Sequence, residues 1–560
     1  MNSIFDLPNL CVQHGVKHVV ICPGSRSAPL TLAFARTFEI NKHIIPDERT
    51  AAYVALGIAE ATNSIVALVC TSGTAAYNFA PAIAEAFFKN VPLLILTADR
   101  PQEWIAQQDG QTIFQENMYG KHVKKSIVFP VSFEKNEDKW FANRILNESL
   151  LLCKAVPQGP VHLNVPLREP LYNQQITTEI ENLRVINNFL PTATYDFKPL
   201  FETLTQYSKI IIVVGQSLIE DKIMLGNLPK NIVVIGDFQA DIHASDNVIK
   251  YHDLFLGSVS TQVLSEIEPD LVITLGNSII SKSLKTFLRN STNLQHWHVG
   301  NVAFPADVFQ KLTLHIKTSG NCFVESLNSF LITNSLNQDY FSRWQKMNNV
   351  SEKFIADYFI ENDQFNEFIA VSRLLSILPN NSVFHVANSM AVRYANIIST
   401  NKNIEFNCNR GTSGIDGCTS TAIGHALVNN KLNVFLTGDI AFFYDRNAFW
   451  LQNLPANFKI VLLNNQAGGI FRMIDGSNEQ PELEQYFETT HQLSAENLAN
   501  DFKLDYLKVL DIEGLEPGLE WLLTKTEKCA ILEIKTDKHV NTTYFKNFKQ
   551  KAKEYFNKIS

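Results

Sequence analysis

The stretch Leu436–Phe471, LTGDIAFFYDRNAFWLQNLPANFKIVLLNNQAGGIF, decides how the rest of the chain is read. One apolar run ends in Gly438-Asp439. A second ends in Asn464-Asn465 and passes into Ala467, Gly468 and Gly469. Apolar runs joined by a helix-sized insert are the pattern of adjacent parallel strands. Such neighbours would bring Asp439 and Asn465 together at one end of a sheet. One carboxylate, one amide oxygen and a backbone carbonyl make a hard oxygen site. That set suits Mg2+, which takes its remaining oxygens from phosphates and water. The glycines let backbone approach a phosphate closely. Strand-end turns favour Asp and Asn for their own reasons, so Gly-Asp alone is weak. Its spacing to Asn-Asn carries the reading.

The same rhythm runs along the chain. HVVICPG, SIVALVCTSG, VPLLILTADRP and PVHLNVPL come first. SKIIIVVGQ, NIVVIGDF and PDLVITLGNS follow, and SVFHVANS, LNVFLTGDIA, FKIVLLNNQ and CAILEIKT come last. Continuous apolar strands alternating with helical patterns predict an α/β fold with parallel sheets. Eleven strands are too many for one twisted open sheet of usual size, and they fall into three groups. VINNFLPTATYDFKP (Val185–Pro199) and ITNSLNQDYFSRWQKMNN (Ile332–Asn349) read as linkers. The predicted domains are therefore 1–188, 189–345 and 346–560, each a doubly wound parallel sheet. The first and third groups end their strands in Gly, Ser, Thr, Asp or Asn, which puts ligand groups where open α/β sheets bind ligands.

Bulk properties exclude other classes. The formal net charge is −8 and no basic stripe exists, so nucleic acid is not an expected partner. The Lys-rich KNFKQKAKEYFNK near the C-terminus reads as a solvated helix face. None of the eight cysteines forms a CxxC pair, and most sit in apolar surroundings. They read as reduced, buried thiols of a cytoplasmic protein. The N-terminus lacks the pattern of a secretory signal, and no run approaches 18 apolar residues, so no membrane span is expected. His14, His18, His43, His122 and His425 lack metal-site spacing and read as structural or surface residues. VVGQS and VVIGDF come without GxGxxG, so they read as ordinary strand ends.

HIIPDERTAAYVALGIAEA, His43–Ala61, poses a separate question. Asp47 and Glu48 precede a helix that is apolar on every side and hence buried. Locally, either carboxylate reads as an N-cap that complements the helix dipole.

The Gly-Asp…Asn-Asn stretch resembles the diphosphate motif of thiamine-diphosphate-dependent enzymes, with Ile440 where many members have a second glycine. The resemblance covers nearly the whole chain. It implies pyrimidine-binding, middle and diphosphate-binding domains in that order, with thiamine diphosphate and Mg2+ (or Mn2+) as cofactors. Asp439, Asn465 and Ala467 would hold the metal. Gly438, Ser389 and Ile415 would line the cofactor, Ile415 in RGTSGIDG taking the place of the apolar residue beneath it. Glu48 matches the catalytic glutamate that hydrogen-bonds the aminopyrimidine ring. Sharing a proton there requires a raised pKa, which burial among Ala, Tyr and Val would produce. Asp47 then keeps the cap. CTSGTAAYNFAPAIAEAFFKNVPLLILTADRP (Cys70–Pro101) resembles the pyrimidine-domain segment of acetolactate synthases and their relatives. In this family the glutamate of one subunit reaches the cofactor of another. A homodimer is therefore the minimum unit, and a homotetramer is common.

CPGSRSAPLTLA, DERTAAYVALGIA, LTADRP, VHLNVPLREPLY, ANSMAVR and NRGTSGIDG together resemble one branch. Its members decarboxylate 2-oxoglutarate and add the product unit to isochorismate in menaquinone biosynthesis. Both substrates carry two carboxylates, which arginine forks match in bidentate fashion. By this resemblance Arg393, Arg410 and Ser389 would hold the 2-oxoglutarate-derived chain. Ser25, Arg26, Arg100, Gln111 and Lys282 would hold isochorismate. Ile470 and Phe471 would form an apolar wall that assists loss of CO2. Two other readings compete: an acetolactate-synthase-like carboligase or decarboxylase acting on pyruvate, and a non-catalytic protein that keeps the fold.

Overall fold

Val66–Cys70, Leu93–Asp99 and Phe458–Asn464 are buried along their whole length. A strand hidden on both faces needs helices on both faces, and the structure supplies them. The computed structural model describes residues 4–172, 183–188, 196–216, 223–224, 232–245, 247–302, 305–331, 338–474, 476–525 and 527–559.

Three six-stranded sheets form, with parallel pairing throughout the described strands. The first contains β1 (His18–Ile21), β2 (Asn41–Ile44), β3 (Val66–Cys70), β4 (Leu93–Asp99), β5 (Ser126–Val128) and β6 (Val161–Pro166), in the order β2-β1-β3-β4-β6-β5. The second contains β7 (Ile210–Val214), β8 (Val233–Gly236), β9 (Val248–Ile249), β10 (Leu271–Leu275), β11 (Gln295–Val299) and β12 (Leu312–Ile316), ordered β12-β11-β10-β7-β8-β9. The third contains β13 (Val383–Val386), β14 (Glu405–Asn407), β15 (Asn433–Gly438), β16 (Phe458–Asn464), β17 (Asp505–Val509) and β18 (Ala530–Lys535), ordered β14-β13-β15-β16-β18-β17. The first and third sheets thus repeat one topology. All eleven predicted strands are present. The others are β11 and the six sheet edges, where half-exposed or very short segments such as NKHI and EFN carry no continuous apolar run.

Both linker readings fall partly outside the described residues, at 189–195 and 332–337. From Gln338 onward the second is not a linker but the start of a helix, Gln338–Glu361. Its inner face buries Tyr340, Phe341, Trp344, Phe354, Ile355 and Tyr358. That is helical spacing, which the polar outer face masks in the sequence. The boundary expected at 345 lies inside this helix.

Packing divides the chain into two units. One comprises Met1–Thr192, Asn409–Asn430 and Tyr444–Pro455; the other comprises Ala193–Cys408, Lys431–Phe443 and Ala456–Ser560. The first unit therefore borrows two segments from the last third of the chain. Its organising contact joins helix Glu48–Thr62 to helix Cys418–Ala426. The helices meet at glycines: a Cβ on Gly57 would lie 2.0 Å from the Thr421 carbonyl oxygen, and one on Gly424 would lie 2.3 Å from that of Val54. Beside this crossing Glu60, Lys89 and His425 are all buried. Glu60 pairs with Lys89 and lies 3.3 Å from His425 Nε2. Burial alone would raise the Glu60 carboxyl, but these neighbours bring it down to about 2. In the second unit a continuous apolar core links the middle and third sheets; Phe238, for example, lies edge-on to Phe406 at 4.7 Å.

Two outcomes are expected. Gly57→Ala destabilises the protein by about 1–3 kcal/mol or more, because backbone blocks the added methyl; denaturant titration measures this. The Glu60 carboxyl lies lower in the folded than in the unfolded state, so its contribution is complete above about pH 4.5 and lost as pH falls towards 2. Wild-type unfolding free energy should carry an acid-side slope worth roughly 3 kcal/mol, and Glu60→Gln should flatten it.

Candidate functional site

The carboxyl ends of β13, β15 and β16 lie side by side in the third sheet. The chain leaves them through Ser389, Gly438-Asp439 and Asn464-Asn465 respectively. Asp439 is 2% exposed and opens the helix Asp439–Tyr444. Its Oδ1 accepts from Ile440 N at 2.7 Å and its Oδ2 from Ala467 N at 3.2 Å. Asn465 Oδ1 accepts from the same Ala467 N–H at 2.9 Å. The two predicted oxygen ligands therefore converge on one amide hydrogen.

Several contacts hold this turn. Gln466 takes the left-handed conformation at φ 62°. Asn464 Oδ1 accepts from Gln466 N at 3.1 Å, while Asn464 Nδ2 donates to buried Glu533 at 2.8 Å. Gly468 N donates to the Glu488 carbonyl at 2.5 Å. Asn465 Nδ2 donates to Glu367 Oε1 at 2.6 Å. Burial raises the Glu367 carboxyl to about 7, and nearby Asp439 adds to the rise. His491 Nδ1 accepts from Leu493 N at 3.1 Å, which leaves the ring proton on Nε2, 3.4 Å from Asp439 Oδ2.

This donor set fits a hard divalent cation: a buried carboxylate, an amide oxygen aimed beside it, and carbonyls within the same turn. A Cβ on Gly438 would meet nothing within 4 Å, so the strand end faces open space. Among the described residues no cluster of three or more His, Cys, Asp or Glu side chains is arranged for a metal. All eight cysteines are outside disulfides, and seven are buried.

Ser389 is half-buried, with φ 77° and ψ −131°, at the start of helix Met390–Ile398. Arg393, one turn on, is exposed and donates to the Ser389 carbonyl at 2.9 Å. Ile470 and Phe471 lie half-buried in the turn Gly469–Arg472, with Phe471 tilted against Phe487 at 5.8 Å. Lys282 is the exposed first residue of helix Lys282–Asn290, capped by Ser281. At the switch point of the middle sheet, between β7 and β10, the two loops close on each other. Gly215 N donates to the Leu275 carbonyl, Asn277 N to that of Gln216, and a Cβ on Gly215 would lie 2.5 Å from Asn277 O.

The first unit gathers a second set at the carboxyl ends of its own sheet. Asp47 is the N-cap: its Oδ1 accepts from Thr50 N at 3.2 Å. Glu48 is therefore not needed as a cap. It is half-buried, and burial raises its carboxyl, with Asp47 adding to the effect. Ser25 is exposed beside buried Arg26. The Arg26 guanidinium donates to the Leu167 carbonyl at 3.1 Å and to exposed Glu169 at 3.5 Å. Arg100 pairs with Asp109 and donates to Ser72 Oγ at 3.1 Å and to the Gln111 carbonyl at 3.0 Å. Gln111 itself is exposed, at φ 57°.

Arg410 and Ile415 ride on the loop 409–417, which the first unit grips at both ends. Glu85, 1% exposed, accepts from Gly411 N at 2.7 Å and from Thr412 N and Oγ1, each at 2.6 Å. Tyr53 OH donates to Asp416 Oδ2 at 2.9 Å. Gly417 packs so closely on the Tyr53 ring that a Cβ would fall 2.0 Å from it. Sequence reasoning missed Glu85, Glu367 and His491. For Glu85 a signal existed, a lone acid in the otherwise apolar APAIAEAFF. Glu367 reads as an ordinary first-turn acid, and His491 sits in a polar stretch without a period.

Glu85→Ala removes three partly buried hydrogen bonds to the loop. The expected result is a stability loss of about 3–5 kcal/mol and faster amide exchange confined to residues 409–417, read by hydrogen-exchange mass spectrometry.

Comparison with known proteins identifies related sequences. A family model described as "Thiamine pyrophosphate enzyme, N-terminal TPP binding domain" matches residues 6–122, and one described as "Middle domain of thiamine pyrophosphate" matches residues 195–386. A protein of Cytophaga hutchinsonii named 2-succinyl-5-enolpyruvyl-6-hydroxy-3-cyclohexene-1-carboxylate synthase is 42% identical, across 99% of this chain and 100% of its own. Proteins of the same name from Flavobacterium johnsoniae and Bacteroides fragilis are 37% and 35% identical, covering 96% and 98% of this chain and 97% and 99% of theirs.

Proposed function

We propose a division of labour among these residues from one premise: the chain belongs to the 2-succinyl-5-enolpyruvyl-6-hydroxy-3-cyclohexene-1-carboxylate synthase family of thiamine-diphosphate-dependent enzymes. Its reaction is the family's. It decarboxylates 2-oxoglutarate and joins the remaining unit to isochorismate, as a transferase of carboligase type in menaquinone biosynthesis. Bound thiamine diphosphate supplies the nucleophilic carbon and the electron sink.

The chain's residues do the rest. Asp439, Asn465 and the Ala467 carbonyl hold Mg2+ or Mn2+. Gly438 leaves room for the diphosphate, and Ser389 and Ile415 line the cofactor. Glu48 holds a proton at its carboxyl and shares it with the aminopyrimidine ring; the upward pKa shift from burial supports this role. Arg393, Arg410 and Ser389 take the carboxylates of 2-oxoglutarate. Ser25, Arg26, Arg100, Gln111 and Lys282 take isochorismate. Ile470 and Phe471 exclude water where the carboxylate leaves. Holding both acids beside the cofactor contributes through orientation. Glu48 acts on the cofactor of a neighbouring subunit, so the working unit is a homodimer or a homotetramer. Eight cysteines outside disulfides support a cytoplasmic setting, and among the described residues no helix is long and apolar enough to cross a membrane.

The convergence of Asp439 and Asn465 on the Ala467 amide carries this reading. The test supplies 2-oxoglutarate and isochorismate with thiamine diphosphate and Mg2+, and in parallel pyruvate alone. Release of CO2 should be faster with the pair, and faster turnover of pyruvate would refute the assignment. Glu48→Gln should lower kcat by about 10^2- to 10^4-fold.

A further inference from the structure

Glu367 is a buried carboxylate without an obvious reason to be one. It opens the helix Glu367–Ile377 and is 3% exposed. Helix capping does not account for it, because Asn366 already accepts from Ile369 N at 3.0 Å. Ion pairing does not either: among the described residues its side-chain partners are Asn465, whose Nδ2 donates at 2.6 Å, and the hydroxyl of Tyr394, itself 1% exposed. Burial disfavours the ionised form of such a carboxyl, and Asp439 close by adds to that effect.

The geometry gives it a task. The two ends of an asparagine amide are nearly equal in shape and opposite in hydrogen-bonding character. Only the oxygen end can ligate a cation. Glu367 Oε1 accepts from Nδ2 at 2.6 Å, so it engages the NH2 end of Asn465. Oδ1 is thereby turned to the other side, where it accepts from Ala467 N at 2.9 Å beside Asp439. Outer contacts of this kind orient metal ligands and tune affinity.

We propose that Glu367 is a positioning residue for the divalent cation: by holding the NH2 end of Asn465 it fixes which end of that amide faces the ion. This rests on the reading of Asp439 and Asn465 as cation ligands.

The test uses the full chain with thiamine diphosphate and takes Mn2+ as the probe, with free ion measured by electron paramagnetic resonance. Glu367→Gln should weaken Mn2+ binding by roughly 10- to 100-fold. Asn465→Asp sets two carboxylates face to face, so it too should bind Mn2+ more weakly, although a carboxylate is ordinarily the better ligand. The double variant E367Q/N465D reverses the hydrogen bond at unchanged total charge and should restore most of the affinity. A merely structural role would not produce that rescue. Mn2+ affinity within about twofold of wild type in Glu367→Gln, or tighter binding by Asn465→Asp, overturns the proposal. The second variant decides the matter if the first fails to fold. Asn465→Ala separates the two layers: undiminished Mn2+ binding there removes the ligand reading and this proposal with it. Loss of binding there, with none in Glu367→Gln, removes the proposal alone.

Discussion

One amide hydrogen organises the third sheet's ligand end. The Ala467 N–H is shared by Asp439 from β15 and Asn465 from β16. Those strands are adjacent and parallel, with Gly438 opposite Leu463. The shared donor converts strand adjacency into a fixed pair of oxygens. It works only if the turn after β16 bends back, and Gln466 in the left-handed region, Asn464 anchored on Glu533 and Gly468 anchored on Glu488 make it do so. On the function proposed above, the turn would supply the protein's half of a grip on a cation and a diphosphate.

The first sheet repeats the strand order of the third, yet its carboxyl ends carry different chemistry. There the polar groups are arginines and a glutamate rather than a paired Asp and Asn. The same topology thus presents mainly cationic side chains in one place and converging oxygen acceptors in the other. Ligands at such sheets gather where the strand order reverses. In the first sheet that place joins Gly24, Ser25 and Arg26 to Thr71 and Ser72; a Cβ on Gly24 would lie 2.3 Å from that of Thr71. In the third it joins Ser389 to Gly438-Asp439. The middle sheet has another order, and its corresponding crevice is laced shut by backbone hydrogen bonds.

Central strands were legible because burial on both faces demands continuous apolar residues. Edges were not, since half their surface meets water or a helix end. Strand β11, QHWHV, hid for a different reason. Its histidines are buried, but Thr274 Oγ1 lies 2.9 Å from both His296 Nε2 and His298 Nδ1, so polar letters occupy core positions. Helix Gln338–Glu361 was mistaken for a linker because its buried aromatics are spaced among polar residues. Local geometry could be read: the convergence of Asp439 with Asn465, and Asp47 as the cap that leaves Glu48 uncommitted. The partners of Glu85 and Glu367 could not, although Glu85 stands out as a lone acid among apolar residues, because each acts on a partner more than 90 residues away in the chain. A single sequence does not display such pairings.

The borrowed segments of the first unit have a consequence for the protein's modularity. Residues 409–430 and 444–455 complete a body whose other part ends near residue 192. A gene fragment that stopped after the first sheet would leave the glycine-notched flank of helix Glu48–Thr62 in water, with Glu60 and Lys89 stripped of cover. The three sheets therefore are not exchangeable cassettes. Recombination that swapped the last third for a distant cousin's would have to import its matching helix partner as well, so the ends of this polypeptide are bound to evolve in step.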